Sequence, residues 1–274
     1  MKRFSPKKPG YLLAVPILFF LAVLATDLYR ASLRETGYFT GWILLTALVL
    51  LTLLNWRKKA VLLPLGRIFE WVQIHIYLGW LSMLLFCLHI SWRIPNGVME
   101  AGLAVLFAIT ALSGVLGLYL SLVFPRRLAR RGEEVIFERI PAFRAQLFEQ
   151  AQSLALSSVA ETRSTTLSDF FSLRLYPFFI RPRNLFQHLL ESNRARFILF
   201  NEMIALERYM NEQERRSLEQ LKILVGQKDD LDYHFALQGT LKLWLFIHIP
   251  ATIVLWTLIL LHLILVYVFQ GGVL

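Results

Sequence analysis

Apolar residues run almost unbroken through five stretches of this chain, roughly 11–29, 39–56, 68–92, 99–125 and 241–269, and a bilayer-crossing helix needs about 20 such residues. The pattern predicts five membrane spans. Between the fourth and fifth, residues 126–240 mix apolar and charged positions with helical periodicity, which predicts a soluble, mostly helical insertion. Asn211 with Glu214 three residues on reads as a capping box opening a charged helix through about Leu224. Phe170–Ile180 is an aromatic and apolar patch bounded by Arg174, Arg181 and Arg183. It suits either a surface against lipid headgroups or a partner protein, or the core of a small helical fold. The expected architecture is an all-α integral membrane bundle: 1–125 with spans one to four, 126–240 the insertion, 241–274 the fifth span and a short tail. The first span follows Lys2, Arg3, Lys7 and Lys8, with no small-residue cleavage site after it, and is expected to be a retained anchor.

Composition agrees with a membrane protein. A hydrophobic fraction of 56% and a mean hydropathy of +0.53 exceed what a soluble core can use. The net charge of +10, from 29 Lys and Arg against 19 Asp and Glu, raises the question of nucleic acid, and the distribution of charge answers it. Residues 126–240 carry 17 basic and 15 acidic side chains, which nearly cancel. The excess lies in short flanks: the N-terminal tail, then Arg57, Lys58, Lys59 and Arg67, then Arg126, Arg127, Arg130 and Arg131. Opposite connections carry only Arg30, Arg34 and Arg93. By the positive-inside rule the N-terminus and 126–240 are expected in the cytoplasm and the C-terminus outside, in a membrane expected to be a bacterial inner membrane. Spans three and five then run in the same direction. All seven Trp fall in or beside the spans, most of them near span ends, as an aromatic belt requires. The single Cys87 excludes an internal disulfide, an Fe–S cluster, a Cys-rich zinc site and covalent c-type haem; it is expected to be a small buried packing residue.

Four of the six histidines lie in spans, as two matched pairs: His75 and His89 on span three, His248 and His262 on span five. Within each pair the spacing is 14 residues, which at about 100° per residue returns to within roughly 40° of the same helix face, about 21 Å further along. Parallel helices then bring His75 opposite His248 at the inner depth and His89 opposite His262 at the outer one. Two facing imidazole pairs at two depths have the geometry of two b-type haems. A lone intramembrane histidine is often only a hydrogen-bonding or proton-carrying residue; matched spacing, depth and direction set these four apart. Zinc is disfavoured, because ligands at two depths cannot converge on one ion.

Gly79 on span three, with Ser113, Gly114 and Gly117 on span four, offers low-profile surfaces that either a porphyrin or ordinary helix packing can use. Pro250 is expected to kink span five and re-aim His248. Arg67 and Lys242 at the inner side and Arg93 at the outer are placed to pair with haem propionates, or else to snorkel at the boundary. His234 stands one further 14-residue step before His248, but its span-three counterpart is Val61, and beside Lys228, Asp229, Asp230 and Asp232 it reads as a surface residue. His188 has no recognisable partner.

The His pairs resemble those of diheme cytochrome b-type membrane proteins, in which two helices each carry histidines 14 residues apart. Their order looks like the ferric-reductase-like transmembrane domain shared by ferric reductases and NADPH oxidases. The spacing is also that of cytochrome b in quinol:cytochrome c reductases, and five spans with two haems are similar to the gamma subunit of respiratory nitrate reductase. The resemblance covers spans three to five and implies haem ligation by the four histidines. A sixth helix and an FAD or NADPH domain are not expected, no Pro-Glu-Trp-Tyr quinol signature is present, and the insertion is larger than that plan needs.

An iron with two axial imidazoles has no open position, so electron transfer is expected, not catalysis at the metal. The leading expectation is a membrane subunit passing electrons between a quinone pool, with quinone as a further bound cofactor, and an Fe–S or multihaem partner docked through 126–240. A stand-alone ferric-reductase-like protein fed by a separate flavoprotein, and a non-enzymatic scaffold, are the alternatives. Membrane lipid is an expected partner and nucleic acid is not.

Overall fold

The structure is a computed structural model that describes residues 9–32, 35–59, 66–131 and 135–270. Lys2, Arg3, Lys7, Lys8, Arg34, Val61 and residues 271–274, on which parts of the sequence reading rest, lie outside the described residues. Among the described residues the regular structure is entirely helical. Five helices are long and apolar enough to cross a membrane: α1 (Pro9–Ala31), α2 (Thr36–Lys59), α3 (Ile68–His89), α4 (Val98–Leu128) and α10 (Glu212–Gln270). Between α4 and α10 come α5 (Ile140–Thr162), α6 (Thr166–Phe170), α7 (Tyr176–Ile180), α8 (Leu185–Leu189) and α9 (Arg194–Leu206). The chain divides into two compact units, Met1–Leu118 with Ile247–Leu274, and Tyr119–Phe246.

In the first unit α1, α2 and α3 pack closely together. Ala22, Leu44, Ala47, Leu81 and Leu85 form the buried seam; small Ala22 and Ala47 let the helices approach while the leucines fill between them. Large apolar side chains such as Phe20, Leu28, Leu112, Ile253 and Phe269 stay exposed along the long helices, the distribution that suits lipid contact. Glu100 in the first turn of α4 and Arg126 and Arg127 in its last turn complement the helix dipole.

The sequence pattern carries span three to residue 92, but α3 ends at His89. Ser91 and Trp92 turn left-handed, at φ 52° and 57°, and the Trp92 N–H closes back on the Cys87 carbonyl at 3.0 Å, a Schellman-like stop that apolar periodicity does not reveal. Cys87 itself is only half-buried.

The second unit has a core of its own in which Leu167, Leu175, Phe179, Met203, Leu218 and Leu221 are fully buried. The Phe170–Ile180 patch is therefore mainly core: Phe171, Leu175, Phe178 and Phe179 turn inward through a π-helical turn at Phe171–Leu175, while Leu173, Tyr176 and Ile180 remain exposed. The expected capping box is present, with the Asn211 N–H donating to Glu214 Oε2 at 3.0 Å and the Glu214 N–H to Asn211 Oδ1 at 2.9 Å. The helix it opens does not stop near Leu224. It is continuous to Gln270, because nothing between Leu224 and the fifth span breaks it, and it runs on through Pro250.

The reading of His234 and its charged neighbours as surface is corrected by the structure. His234, Lys228, Asp229 and Asp232 are all buried. Each charge is compensated: Lys228 donates to Asp232 and, at 2.9 Å, to the Arg181 carbonyl, while the Arg183 N–H donates to Asp232 Oδ2 at 2.9 Å. Arg131 pairs with Asp229 and Asp230 and stacks over Tyr233 at 4.7 Å. His234 donates through Nε2 to the Arg131 carbonyl at 2.8 Å. His188 also has neighbours: it is buried edge-on against Tyr233, 3.6 Å from Asp229 Oδ1, and burial holds its pKa below the usual histidine range. Burial likewise lowers the Lys228 pKa and pushes Asp232 up to about 6.

Candidate functional site

The four matched histidines all lie in the first unit, half-buried on α3 and α10. His75 Nδ1 is 3.0 Å from the Leu51 carbonyl of α2. A carbonyl only accepts, so the ring donates, which puts the proton on Nδ1 and the lone pair on Nε2. His248 Nδ1 is 2.6 Å from Ser113 Oγ of α4, a hydroxyl that also lies 2.8 Å from the Thr110 carbonyl. His89 Nδ1 is 3.1 Å from Thr40 Oγ1 of α2, a hydroxyl that also lies 2.9 Å from the Thr36 carbonyl. Three imidazoles are thus held at Nδ1 from a neighbouring helix, the arrangement that orients a histidine for ligation through Nε2.

His89 and His262 stand within electrostatic reach of each other, as the outer pairing requires. His75 is tied to α2 and His248 to α4. α3 packs closely on α1 and α2, whereas its approach to α10 is sparse. Helices in direct contact sit about 8–10 Å apart, and a macrocycle clamped between two imidazoles needs more room than that.

The small residues sort by what lies beside them. A Cβ added at Gly79 meets nothing within 4 Å, and one at Gly114 would stand 3.8 Å from His248 Cε1. Gly117 is buried on α4. The sequence reading placed α2 as a span but not as part of the site. A Cβ at Gly41 would come within 3.1 Å of His89 Cε1, so Thr40 and Gly41 together form the seat of that ring. Gly37 and Gly41, four residues apart in an apolar helix, are the small-residue spacing that could have pointed there.

Of the three cations expected near propionates, Arg67 caps the start of α3 and Arg93 follows its end, both exposed. Lys242 differs: it pairs with Glu138 and lies 4.2 Å over the Phe137 ring, so its charge is already answered within the second unit. Among the described residues no group of three or more His, Cys, Asp or Glu is placed to hold a metal ion. Two imidazoles on one iron would need the equatorial donors of a porphyrin, since no third protein ligand accompanies them among the described residues. No protein family, curated protein or solved structure matches this chain.

Proposed function

We propose that this chain is a diheme b-type cytochrome subunit of a membrane redox complex, carrying electrons between a quinone pool and a partner redox protein. The observation that carries this reading is the shared anchoring: Nδ1 of His75, His89 and His248 meets a carbonyl or a hydroxyl of a neighbouring helix, which orients each ring for ligation through Nε2. His75 with His248, and His89 with His262, would hold one haem each, with Gly79 and Gly114 leaving room for the ring faces. Bis-imidazole haem supplies one-electron, outer-sphere transfer with no open position for a substrate. Leu51, Ser113 and Thr40 fix the rings, and the apolar spans keep water from them. The positive-inside pattern supports a cytoplasmic N-terminus and second unit and an outer C-terminus, with the partner docking on residues 126–240.

Pyridine haemochrome quantitation of the purified chain is expected to give two haem b per polypeptide; zero or one overturns the proposal. A copurifying Fe–S or multihaem protein supports the complex-subunit role, whereas a copurifying flavoprotein replaces it with a transmembrane reductase.

The seat of His89 gives a sharper test. Gly41→Val drives side-chain atoms into that ring, and is expected to lower haem content from about two per chain to about one. Gly37→Val makes the same change in helix propensity where nothing lies within 4 Å, and is expected to retain both haems. Equal haem content in the two variants would show that α2 does not seat an axial ligand.

A further inference from the structure

A pocket of about 280 Å3 opens in the second unit, walled by Phe178 and Leu199 and rimmed by Arg174, Arg183 and Arg196. The arginines come from three segments: the π-helical turn before α7, the connection from α7 to α8, and α9. The acid in the lining is Asp229, and it is already held by Arg131. Arg196 reaches Asp229 and Asp230 only at 3.9 Å and 3.5 Å. Arg174 pairs with Glu202, yet its side chain stays 54% exposed. Arg183 Nε donates to the Pro177 carbonyl at 3.1 Å, and among the described residues no carboxylate pairs with its side chain. Its backbone is pinned by the bond from its N–H to Asp232, so the guanidinium is presented from a fixed point. Arg131, Arg174, Arg183 and Arg196 meet three carboxylates, Glu202, Asp229 and Asp230, so one net positive charge remains at the pocket, and the guanidinium without a carboxylate partner is that of Arg183.

We propose that this pocket binds a phosphate group, supplied by an anionic phospholipid headgroup or by free phosphate. Guanidinium groups match phosphate oxygens two at a time, and such charge-assisted pairs are about twice as strong as neutral hydrogen bonds. The volume admits a phosphate with a short polar extension and falls below the roughly 300–1,000 Å3 of pockets for larger ligands, so a dinucleotide does not fit. Phe178 and Leu199 give the less polar part of such a ligand a wall to lie on, and exposed Ile198 beside them extends it. The pocket belongs to the second unit and the four histidines to the first, so the two proposals are tested separately.

The test titrates the full chain in detergent with inorganic phosphate by calorimetry, and with short-chain phosphatidylglycerol or phosphatidylcholine by native mass spectrometry. One site is expected for phosphate or phosphatidylglycerol and none for phosphatidylcholine. Binding of phosphatidylglycerol alone assigns the headgroup as the source, and binding of inorganic phosphate assigns the free ion. Arg183→Ala is expected to weaken binding about ten- to hundredfold, with partial recovery in Arg183→Lys, which keeps the charge but loses the fork. Arg174→Ala, at a half-exposed position, repeats the test where folding is less at stake. Absence of both phosphate and phosphatidylglycerol binding, equal binding of phosphatidylcholine, or affinity unchanged in both alanine variants overturns the proposal.

Discussion

His89→Ala is expected to remove one of the two haems of the purified chain and leave the other, so that absorbance in the Soret band falls to about half. The ring sits on the last residue of α3, against Thr40 and Gly41 of α2, and within reach of His262. The inner histidines rest on separate supports, the Leu51 carbonyl and Ser113, which this change does not touch. Without cysteine thioether links a b-type haem is held only by its axial ligands and packing, so losing an axial imidazole empties that site. Double variants read the pairing directly. If His89 and His262 share an iron, His89→Ala with His262→Ala loses no more haem than either alone, whereas His89→Ala with His248→Ala loses both. The reverse pattern would show that the histidines are paired across depths.

The second large effect is expected in the second unit, from Asp232→Asn. Lys228 is fully buried, and Asp232 is its carboxylate partner, with the Arg181 carbonyl and the Phe178 ring completing its surroundings. Removing one partner of a buried pair leaves the other charge uncompensated, at a cost of about 3–5 kcal/mol. For a unit of this size that lowers the midpoint of thermal unfolding by on the order of 10 °C, measurable by circular dichroism of the full chain in detergent. The sign with pH is set by Lys228. Burial lowers its pKa in the folded chain, so the folded state binds fewer protons than the unfolded one and the variant regains stability as pH rises. In the native chain Asp232 acts oppositely: burial, its largest cause, raises its pKa to about 6, so the folded state holds that proton more tightly and this group's contribution falls as pH rises through about 6. Lys228→Met with Asp232→Leu is expected to recover most of the loss, since two apolar residues can replace a buried pair. A melting temperature unchanged in Asp232→Asn would show that the pair is not buried in solution.

The long apolar helices were legible because their signal is local. Five runs of apolar residues give five helices, and a 14-residue period places histidines without any knowledge of what they touch. Their supports were less legible. Ser113 was noticed only as a small residue, and its role shows only in its 2.6 Å contact with His248 Nδ1, 135 residues on. Thr40 and Gly41 were missed because only packing of α2 on α3 shows that they face His89. The interior of the second unit was misread for a related reason. Lys228 and Asp232, four apart on a helix, have the spacing of a solvated face, and charged side chains are seldom fully buried. What buries them is the 181–183 segment, about fifty residues earlier in the chain, whose backbone supplies an acceptor and a donor. The boundary of α10 failed likewise: a capping box marks where a helix starts and carries no information about where it ends.

The charge group around Arg131 and Lys228 has one more consequence. Arg131, Arg196 and Lys228 balance Asp229, Asp230 and Asp232, and the group as a whole is electrically silent. The chain's entire excess of +10 therefore resides elsewhere, on the other side chains. Such a field reaches about one Debye length, near 8 Å at physiological salt, and it acts on how fast an acidic partner arrives and in which orientation more than on how tightly it is then held.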